Sequence, residues 1–366
     1  MYSKYYYDNI LGNRLLLPVT QIFGGATLGI TIKEIGQLAG VSKTTVSKVI
    51  NNKDESISQE TRERIQRIIK EHNYVPNKLA QSLVTKKTNT IGLLIPDIRN
   101  PFFTDVSRGV EDKAHESGYN VILCNTDEDA EREQSGILTL LERKIDGIIF
   151  AASSNTNLDE ANYTDISIPT VLIDKNININ LENLKGKVRV NNLDGAYKAT
   201  KYLLENGHRK ILYLSGPNHN EIASDRIGGY RKALEEYNCE WNSENVIIGQ
   251  FSIEWGFDFI QSLEGFDFTA IFCANDLIAI GVIKGLQSKG LNVPQDVSVV
   301  GFDDIDMANI ISPSLTTVRQ PSYDIGYKAG EILIKNLENT NSNMDSIENM
   351  VYEPELVIRE STKKLV

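Results

Sequence analysis

The segment TIKEIGQLAGVSKTTVSKVINN, which starts at Thr31, constrains the fold of this chain more than any other feature. Thr31 and Glu34 have the spacing of a capping box, in which the two side chains bind free backbone N–H groups of the first helical turn. The apolar residues Ile32, Ile35 and Leu38 then fall on one helical face. The pattern predicts a short amphipathic first helix.

A second helix is predicted directly after a tight turn. Gly40 suits the turn because glycine adopts backbone conformations that side chains disfavour, and Ser42 is a typical helix N-cap. Val46, Val49 and Ile50 lie on the inner face of this helix. Two helices joined in this way form a helix-turn-helix, whose second helix reads the DNA major groove. The outward residues that would face DNA are Lys43, Thr44, Ser47 and Lys48.

An ordinary helical hairpin with solvated lysines is the alternative, and the following segment argues against it. Residues 58–72 predict a third helix, which would complete a headpiece of three helices. Its apolar stripe is predicted to be Ile65, Ile68, Ile69 and His72, with Arg62, Arg64, Arg67 and Lys70 available to water or phosphate.

The charge of the chain is segregated along its length. Residues 31–90 carry 11 basic and 6 acidic side chains, a net charge of +5, whereas residues 91–366 carry 25 and 42, a net charge of −17. A basic module beside an acidic body is typical of attraction to phosphate at one end and solubility at the other.

The linked order of the motifs resembles the LacI/GalR family of bacterial transcription regulators. The matching segments are VSKTTVSKVIN, ETRERI and NYVPNKLAQSLVTKKTNTIGLLIPDIRNPFF, and the similarity runs to about residue 362. The resemblance implies a small all-α helix-turn-helix headpiece at 31–76, a hinge helix and linker at 77–89, and a body at 90–362. The body is expected to be α/β and similar to periplasmic binding proteins. Its two doubly wound parallel-sheet subdomains are expected at roughly 90–190 plus 320–345 and 191–319 plus 346–362.

In that family, the hinge helices of a homodimer enter the minor groove at the centre of a pseudo-palindromic operator. Leu83 matches the leucine that wedges between base steps, although Leu79 and Leu83 could instead be a simple helix-packing pair. Lys48 stands where many members carry arginine, so base readout there stays open. The DNA-binding residues that the resemblance implies are Lys43, Thr44, Ser47, Lys48, Asn51, Asn77, Lys78, Ala80 and Leu83.

The remaining composition limits the class of protein. Residues 1–30 lack the continuous apolar core of a signal peptide or membrane segment, and are expected to be a disordered extension or a start-site artefact. Cys124, Cys239 and Cys273 are scattered, which favours buried thiols in the reducing cytoplasm. The four histidines show no ligand spacing, so neither a metal nor a cofactor is expected.

The body alternates short β-branched runs with helical patterns. Such alternation predicts parallel βαβ units, and two series of them predict two halves with a ligand cleft at the carboxyl ends of the strands. The predicted strands are 90–96, 119–124, 146–152 and 169–174 in the first half, and 210–216, 245–249, 269–276 and 297–304 in the second.

Polar and aromatic residues follow these strands and suit a small neutral polyol. Carboxylates and carboxamides accept from and donate to hydroxyls, an arginine fork bridges adjacent hydroxyls, and aromatic rings cover the apolar faces of a sugar. These segments are similar to the pentose pocket of ribose-responsive family members, with Lys175 a departure from their usual arginine. The expected effector-binding residues are Asn100, Phe102, Phe103, Asp174, Lys175, Arg226, Phe251, Asn275, Asp303 and Gln320.

Each site residue also has a structural explanation. Asp303 and Asn275 could cap the turns that follow them, Phe102 and Phe103 could be core aromatics, and Arg226 could pair with a nearby surface acid.

The expected function is that of a cytoplasmic, homodimeric transcriptional regulator, most simply a repressor. Its operator affinity would be controlled by a small sugar, with ribose favoured. The alternatives are a purine-responsive corepressed regulator and a sugar receptor without DNA function, against which the headpiece argues. An enzyme is not expected, because the sequence has no Gly-x-Ser-x-Gly elbow and no GxxxxGK[ST] phosphate loop.

Overall fold

In the computed structural model, residues 30–51, 54–75, 87–152, 163, 166–174, 181–217, 221–338 and 347–365 are described. The chain forms two compact units, Met1–Val84 and Thr85–Val366. The expected N-terminal extension before Ile30 and the hinge helix fall outside the described residues. The same holds for the predicted contacts of Asn77, Lys78, Ala80, Leu83 and Lys175.

The described residues of the first unit form three helices, α1 (Ile32–Ala39), α2 (Lys43–Ile50) and α3 (Gln59–Glu71), as the sequence predicts. The capping box is present, since the Thr31 hydroxyl accepts from the Glu34 N–H at 3.3 Å and the Glu34 carboxylate accepts from the Thr31 N–H at 2.7 Å. Gly40 ends α1 with a φ of 65°, a left-handed conformation that favours glycine. The helix-turn-helix follows from these local signals.

The headpiece core lies between the three helices. Ile35 of α1, Val46 of α2 and Ile65 of α3 are completely buried in one cluster. The prediction that Leu38 faces inward is wrong, because its side chain is 57% exposed. The buried stripe of α1 instead runs from Ile35 to Ala39, four residues later.

The described residues of the second unit form two six-stranded sheets, and the first has the strand order β11-β5-β4-β3-β1-β2. All of its pairings are parallel. Its helices are α4 (Pro101–Glu116), α5 (Ala130–Glu142) and α11 (Ser322–Glu338). Its strands are β1 (Thr90–Ile95), β2 (Asn120–Asn125), β3 (Gly147–Phe150), β4 (Thr170–Ile173), β5 (Leu184–Val190) and β11 (Glu348–Tyr352).

The second sheet has the order β12-β10-β9-β8-β6-β7 and is parallel except for the antiparallel pair of β10 and β12. Its strands are β6 (Ile211–Ser215), β7 (Val246–Ile248), β8 (Ala270–Cys273), β9 (Ser298–Asp303), β10 (Thr316–Arg319) and β12 (Glu355–Val357). Its helices are α6 (Asn192–Glu205), α7 (Glu221–Glu236), α8 (Ile253–Ser262), α9 (Asp276–Ser288) and α10 (Asp306–Ile310), with a 3-10 turn at Ser243–Asn245.

Central strands are buried along their whole length, as expected of parallel strands covered by helices on both faces. Every residue of β9 is buried, for example. The helices approach each other closely where glycine allows it. A Cβ atom at Gly229 of α7 would lie only 2.1 Å from the carbonyl oxygen of Leu193 in α6. This close packing fixes the position of α7 over the second sheet.

The eight predicted strands are all present, and the described residues form four more. β5 was not predicted because its sequence LKGKVRV alternates basic and smaller residues and lacks a continuous apolar run. One subdomain boundary also needs correction: residues 348–352 were expected in the second half, but β11 pairs with β5 in the first sheet. Among the described residues, no helix is long and apolar enough to span a membrane.

Candidate functional site

The predicted DNA-facing row lies on the exposed side of α2. Lys43, Thr44, Lys48 and Asn51 are exposed, and Ser47 is half-buried. The Asn51 side-chain amide donates to the Ser47 carbonyl at 2.8 Å and to its hydroxyl at 3.3 Å. Lys43 and Lys48 therefore present charge from a helix whose inner face is anchored in the headpiece core.

A shallow depression beside α2 was not predicted from sequence. It is lined by Ser42, Thr44 and Lys48 on one side and by Ser56, Ser58 and Thr61 on the other. The first turns of α2 and α3 meet there, and backbone N–H groups at helix N-termini attract anions. The depression extends the polar surface around the DNA-facing row.

Two predictions about α3 are wrong. Arg62 is not available to phosphate, because it is half-buried and forms an ion pair with Asp54. His72 is exposed because it caps the end of α3, beyond the last buried turn. The remaining basic residues of α3 that were predicted to be solvated, Arg64, Arg67 and Lys70, are exposed.

The first group of predicted effector-binding residues lies where β1 leads into α4. Asn100 caps α4, and its side-chain oxygen accepts from the Phe102 N–H at 3.2 Å. Phe102 and Phe103 are buried, with ring centroids 5.0 Å apart in an edge-to-face arrangement. Both rings belong to the core of the first half, as the alternative interpretation of core aromatics expects. Their contact with an effector stays a prediction.

Asp174 lies directly after β4, at the carboxyl edge of the first sheet. Its side chain is buried, its φ is 71°, and its N–H donates to the Val188 carbonyl of β5 at 3.0 Å. The backbone therefore holds this carboxylate at a sheet edge in a strained left-handed conformation. The charge of Asp174 contributes to the raised pKa of Asp303 in the other half.

Arg226 is buried in the second half and does not form the surface pair considered from sequence. Its Nε donates to Asn192 Oδ1 at 2.9 Å, and one terminal nitrogen donates to the Ala274 carbonyl. Its guanidinium carbon lies 3.7 Å from the centroid of the Phe302 ring, a cation–π contact. The second terminal nitrogen is 3.9 Å from Asp303 Oδ1. Arg226 is thus fixed in one geometry with one nitrogen near the carboxylate.

Asp303 ends β9 and is held by a neighbouring carboxamide. Gln320 Nε2 donates to Asp303 Oδ1 at 2.7 Å, and the Gln320 N–H donates to the Asp303 carbonyl at 3.2 Å. Burial raises the pKa of Asp303 to about 7, opposed by Arg226 and the Gln320 hydrogen bond and assisted by the charge of Asp174. The site therefore contains a carboxyl group that titrates near neutral pH.

Two polar atoms in the site lack partners among the described residues. Asn275 caps α9 through its oxygen, which accepts from the Ile278 N–H at 3.0 Å, but its side-chain nitrogen is buried and makes no hydrogen bond. Gln320 Oε1 is also buried and accepts no hydrogen bond from the described residues. One donor and one acceptor are therefore available, and such buried polar groups are costly unless a ligand or water binds them.

Asp276 holds the loop that follows Asp303 and was not predicted as a site residue. It is completely buried, accepts from the Thr317 hydroxyl at 2.5 Å and from the Ile305 N–H at 2.9 Å, and so fixes the loop after β9. Burial and the charge of Asp303 raise the pKa of Asp276 well above its usual range. Asn192 and Phe302, which hold Arg226, were also missed. The only local signal that could have pointed to these residues was an Asn or Asp shortly after a strand, where such a residue can cap the next helix.

Phe251 stands where the sequence places it, beside the end of β6. It is half-buried, and a Cβ atom at Gly216 would overlap its ring at 2.1 Å, so the ring packs on the backbone there. Among the described residues, no cluster of three or more His, Cys, Asp or Glu side chains could hold a metal ion.

Comparison with family models covers both units. Residues 31–77 match "Bacterial regulatory proteins, lacI family", and residues 88–358 match "Periplasmic binding proteins and sugar binding domain of LacI family". The chain belongs to the LacI family. It is therefore a DNA-binding transcriptional regulator with a ligand-binding body, and the predicted family and fold class are confirmed.

Curated relatives match over nearly the whole chain and are named as regulators. A ribose operon repressor from Haemophilus influenzae is 38% identical over 337 residues, covering 92% of this chain and 99% of the relative. The repressor PurR from Vibrio vulnificus is also 38% identical, over 339 residues, with the same coverage.

Solved structures match the same architecture. A lac repressor dimer bound to operator and an anti-inducer is 26% identical with a TM-score of 0.78, and the match covers 91% of this chain and 99% of that one. A LacI family regulator from Enterococcus faecium with bound ribose is 30% identical with a TM-score of 0.66, covering 76% and 100%.

Proposed function

We propose that this LacI family regulator is a cytoplasmic repressor whose operator affinity is controlled by a small neutral polyol, with ribose or a related pentose as the effector. The buried group of Arg226, Asn275, Asp303 and Gln320 carries the proposal. It combines a carboxylate, a fixed guanidinium, a free amide donor and a free amide acceptor. Hydroxyl groups satisfy all four, because each both donates and accepts.

The ribose-bound relative and the ribose operon repressor support a pentose. In the proposal, Asp174 and the aromatic pair Phe102 and Phe103 complete the pocket from the first half, as the sequence predicts. A small polyol then bridges Asp174 to Asp303 and favours closure of the two halves. Because both carboxylates interact electrostatically in the effector-free protein, hydroxyl donors between them also relieve their repulsion.

A purine is the second candidate, favoured by the PurR relative at the same identity. A purine presents ring nitrogens and a flat apolar face, so it would use Asn275, Gln320 and Phe251 more than the two carboxylates. The two candidates also differ in their expected effect on operator affinity. By analogy with the family, a sugar would release operator DNA, whereas a purine would promote its binding.

The remaining parts of the proposal concern assembly. We place Lys43, Thr44, Ser47, Lys48 and Asn51 in the major groove of one half-site, and a second copy of the chain on the other half-site of a pseudo-palindrome. Closure of the cleft would separate the paired hinge segments, so that the sugar acts as inducer.

Calorimetry of the full chain with ribose, other pentoses, hypoxanthine and guanine tests the effector. Ribose binding that is lost in Asp303→Ala and kept in Asp258→Ala supports the proposal, since Asp258 is an exposed carboxylate of the same half. Binding of a purine alone, insensitive to Asp174→Ala, would replace the sugar by the second candidate. Heat from neither class would reject both.

A further inference from the structure

The turn that ends β9 has a backbone conformation that side chains disfavour. Asp303, the last residue of β9, has a φ of 116°, and Asp304 has a φ of 61°. Positive φ values strain residues other than glycine, and such residues keep them only where the surrounding structure holds them in place. Asp303 belongs to the proposed pocket, so whatever holds this turn also fixes the pocket carboxylate.

The Asp304 carboxylate binds two arginines, one through each oxygen. Arg319 Nε donates to Asp304 Oδ2 at 2.7 Å, and a terminal nitrogen of Arg359 donates to Asp304 Oδ1 at 2.6 Å. The side chain of Asp304 is only 7% exposed and that of Arg359 only 15%, so solvent screens this pair weakly. Such hydrogen bonds between charged groups are the stronger ones in proteins.

The two arginines belong to different segments of the chain, and both are anchored there. Arg319 is the last residue of β10 and lies opposite Asp303 in the parallel pairing of β9 and β10. Arg359 follows β12, and its other terminal nitrogen donates to the Leu315 carbonyl at 2.7 Å. Asp304 is therefore tied both to the neighbouring strand and to the C-terminal segment.

The Asp304 ion pairs lie directly beside the bond that holds the pocket carboxylate. Asp304 follows Asp303 in the chain, and Arg319 precedes Gln320. Gln320 Nε2 donates to Asp303 Oδ1 at 2.7 Å, the same distance as between Arg319 and Asp304. Two adjacent bonded pairs thus join the ends of β9 and β10. A rotation of the turn that released Asp304 would also move the Asp303 carboxylate relative to Gln320.

We infer that Asp304, bound by Arg319 and Arg359, is a positioning residue that keeps the turn at positive φ and so presents the Asp303 carboxylate to a hydroxyl group of the effector. Asp304 acts through Asp303 and does not itself contact the effector. Without its ion pairs the turn would relax in the free protein, and binding would have to restore it at a cost in affinity. This inference rests on the proposed function.

The test compares Asp304→Ala with Asp304→Gly by calorimetry of the full chain with ribose. Both variants lose the carboxylate, but glycine adopts the positive φ of this position without strain. Asp304→Ala is expected to bind ribose about tenfold more weakly than the natural chain. Asp304→Gly should bind it about fivefold or more tightly than Asp304→Ala does, because the turn then keeps its conformation without the ion pairs.

Proton release gives a second readout, which a loss of stability alone would not change. The pKa of Asp303 is about 7, chiefly because the side chain is buried. In Asp304→Ala the displaced Asp303 carboxyl would be better hydrated and already charged at pH 7, so ribose binding should release fewer protons than in the natural chain. Calorimetry in two buffers of different ionisation heat measures this difference.

Arg319→Met tests the same ion pairs from their exposed end, and serves if Asp304→Ala does not fold. The Arg319 side chain is half-exposed and also forms an ion pair with Glu355 at 3.4 Å. Arg319→Met should weaken ribose binding about two- to fivefold. Glu355→Gln is the matched control, because it removes only the outer ion pair of Arg319 and should leave the affinity unchanged.

Equal ribose affinities of Asp304→Ala and Asp304→Gly would overturn the inference, because the conformation of the turn would then not matter. Ribose binding that is lost in Asp303→Ala but unchanged in both Asp304 variants and in Arg319→Met would also overturn it, while leaving the proposed function standing. Absence of sugar binding by the natural chain would reject the proposed function, and this inference with it.

Discussion

At the scale of single residues, we expect Asp303 to couple effector binding to pH. Its pKa lies at about 7 without ligand, chiefly because burial disfavours its charge. Hydroxyl donors from an effector would stabilise the charged form, so binding should release a proton. We expect ribose affinity to fall as pH drops below 7, approaching tenfold per pH unit at the acidic end. Calorimetry between pH 5.5 and 8 in two buffers of different ionisation heat measures this, and a flat profile would contradict it.

The same residue should affect stability in the opposite direction. A carboxyl whose folded pKa exceeds its unfolded value favours the folded state fully below about pH 4 and loses that contribution as pH rises through 7. Asp303→Asn removes the buried charge, so the variant should melt at a higher temperature than the natural chain at pH 8, with a smaller gain at pH 5. A lower melting temperature at both pH values would show that the charge is needed for folding.

Asp276 has a structural role, because it accepts two buried hydrogen bonds. Asp276→Ala would leave the Thr317 hydroxyl and the Ile305 N–H without their acceptor, and each unsatisfied buried group costs about 1–3 kcal/mol. We expect a loss of at least 2 kcal/mol in the free energy of unfolding, measured with urea. Asp276→Asn keeps one acceptor oxygen, and its loss should be smaller. Equal stability of the two variants would contradict this role.

At the scale of elements, local signals determined most of what could be predicted. The headpiece helices follow from caps and turns within a few residues, and the eight predicted strands are apolar runs that parallel sheets bury on both faces. β5 alternates buried residues with half-buried basic ones, so it lacks the continuous apolar run by which the other strands were predicted. Asp303, Asn275 and Asp174 could be proposed as site residues because they lie at the ends of predicted strands. Asn192 and Phe302 were missed because they reach Arg226 from 34 and 76 positions away in the chain.

The exposed face of α2 makes a prediction of its own. Lys43 and Lys48 are exposed, and each phosphate contact steepens the salt dependence of DNA binding by about one unit of log affinity per log salt. Lys43→Ala and Lys48→Ala should weaken binding to a DNA site selected from random sequence and reduce that slope. Lys48→Arg should retain the slope, and a change in the preferred bases would show that residue 48 reads sequence. Lys335→Ala, an exposed lysine of the body, is the control and should leave both quantities unchanged.

At the scale of the whole molecule, effector and operator share one conformational equilibrium in the proposed function. If sugar favours the closed body and operator favours the open one, each ligand must weaken the other by the same factor, about 5–150-fold for a coupling of 1–3 kcal/mol. We expect the operator affinity measured with saturating ribose, and the ribose affinity measured with saturating operator, to fall equally. The closed thermodynamic cycle makes unequal factors impossible at equilibrium, so the informative outcome is the sign. Mutual strengthening would reverse the inducer assignment and favour corepression, whereas a factor of one would mean that the cleft, although occupied, does not distinguish the conformation that the headpieces need.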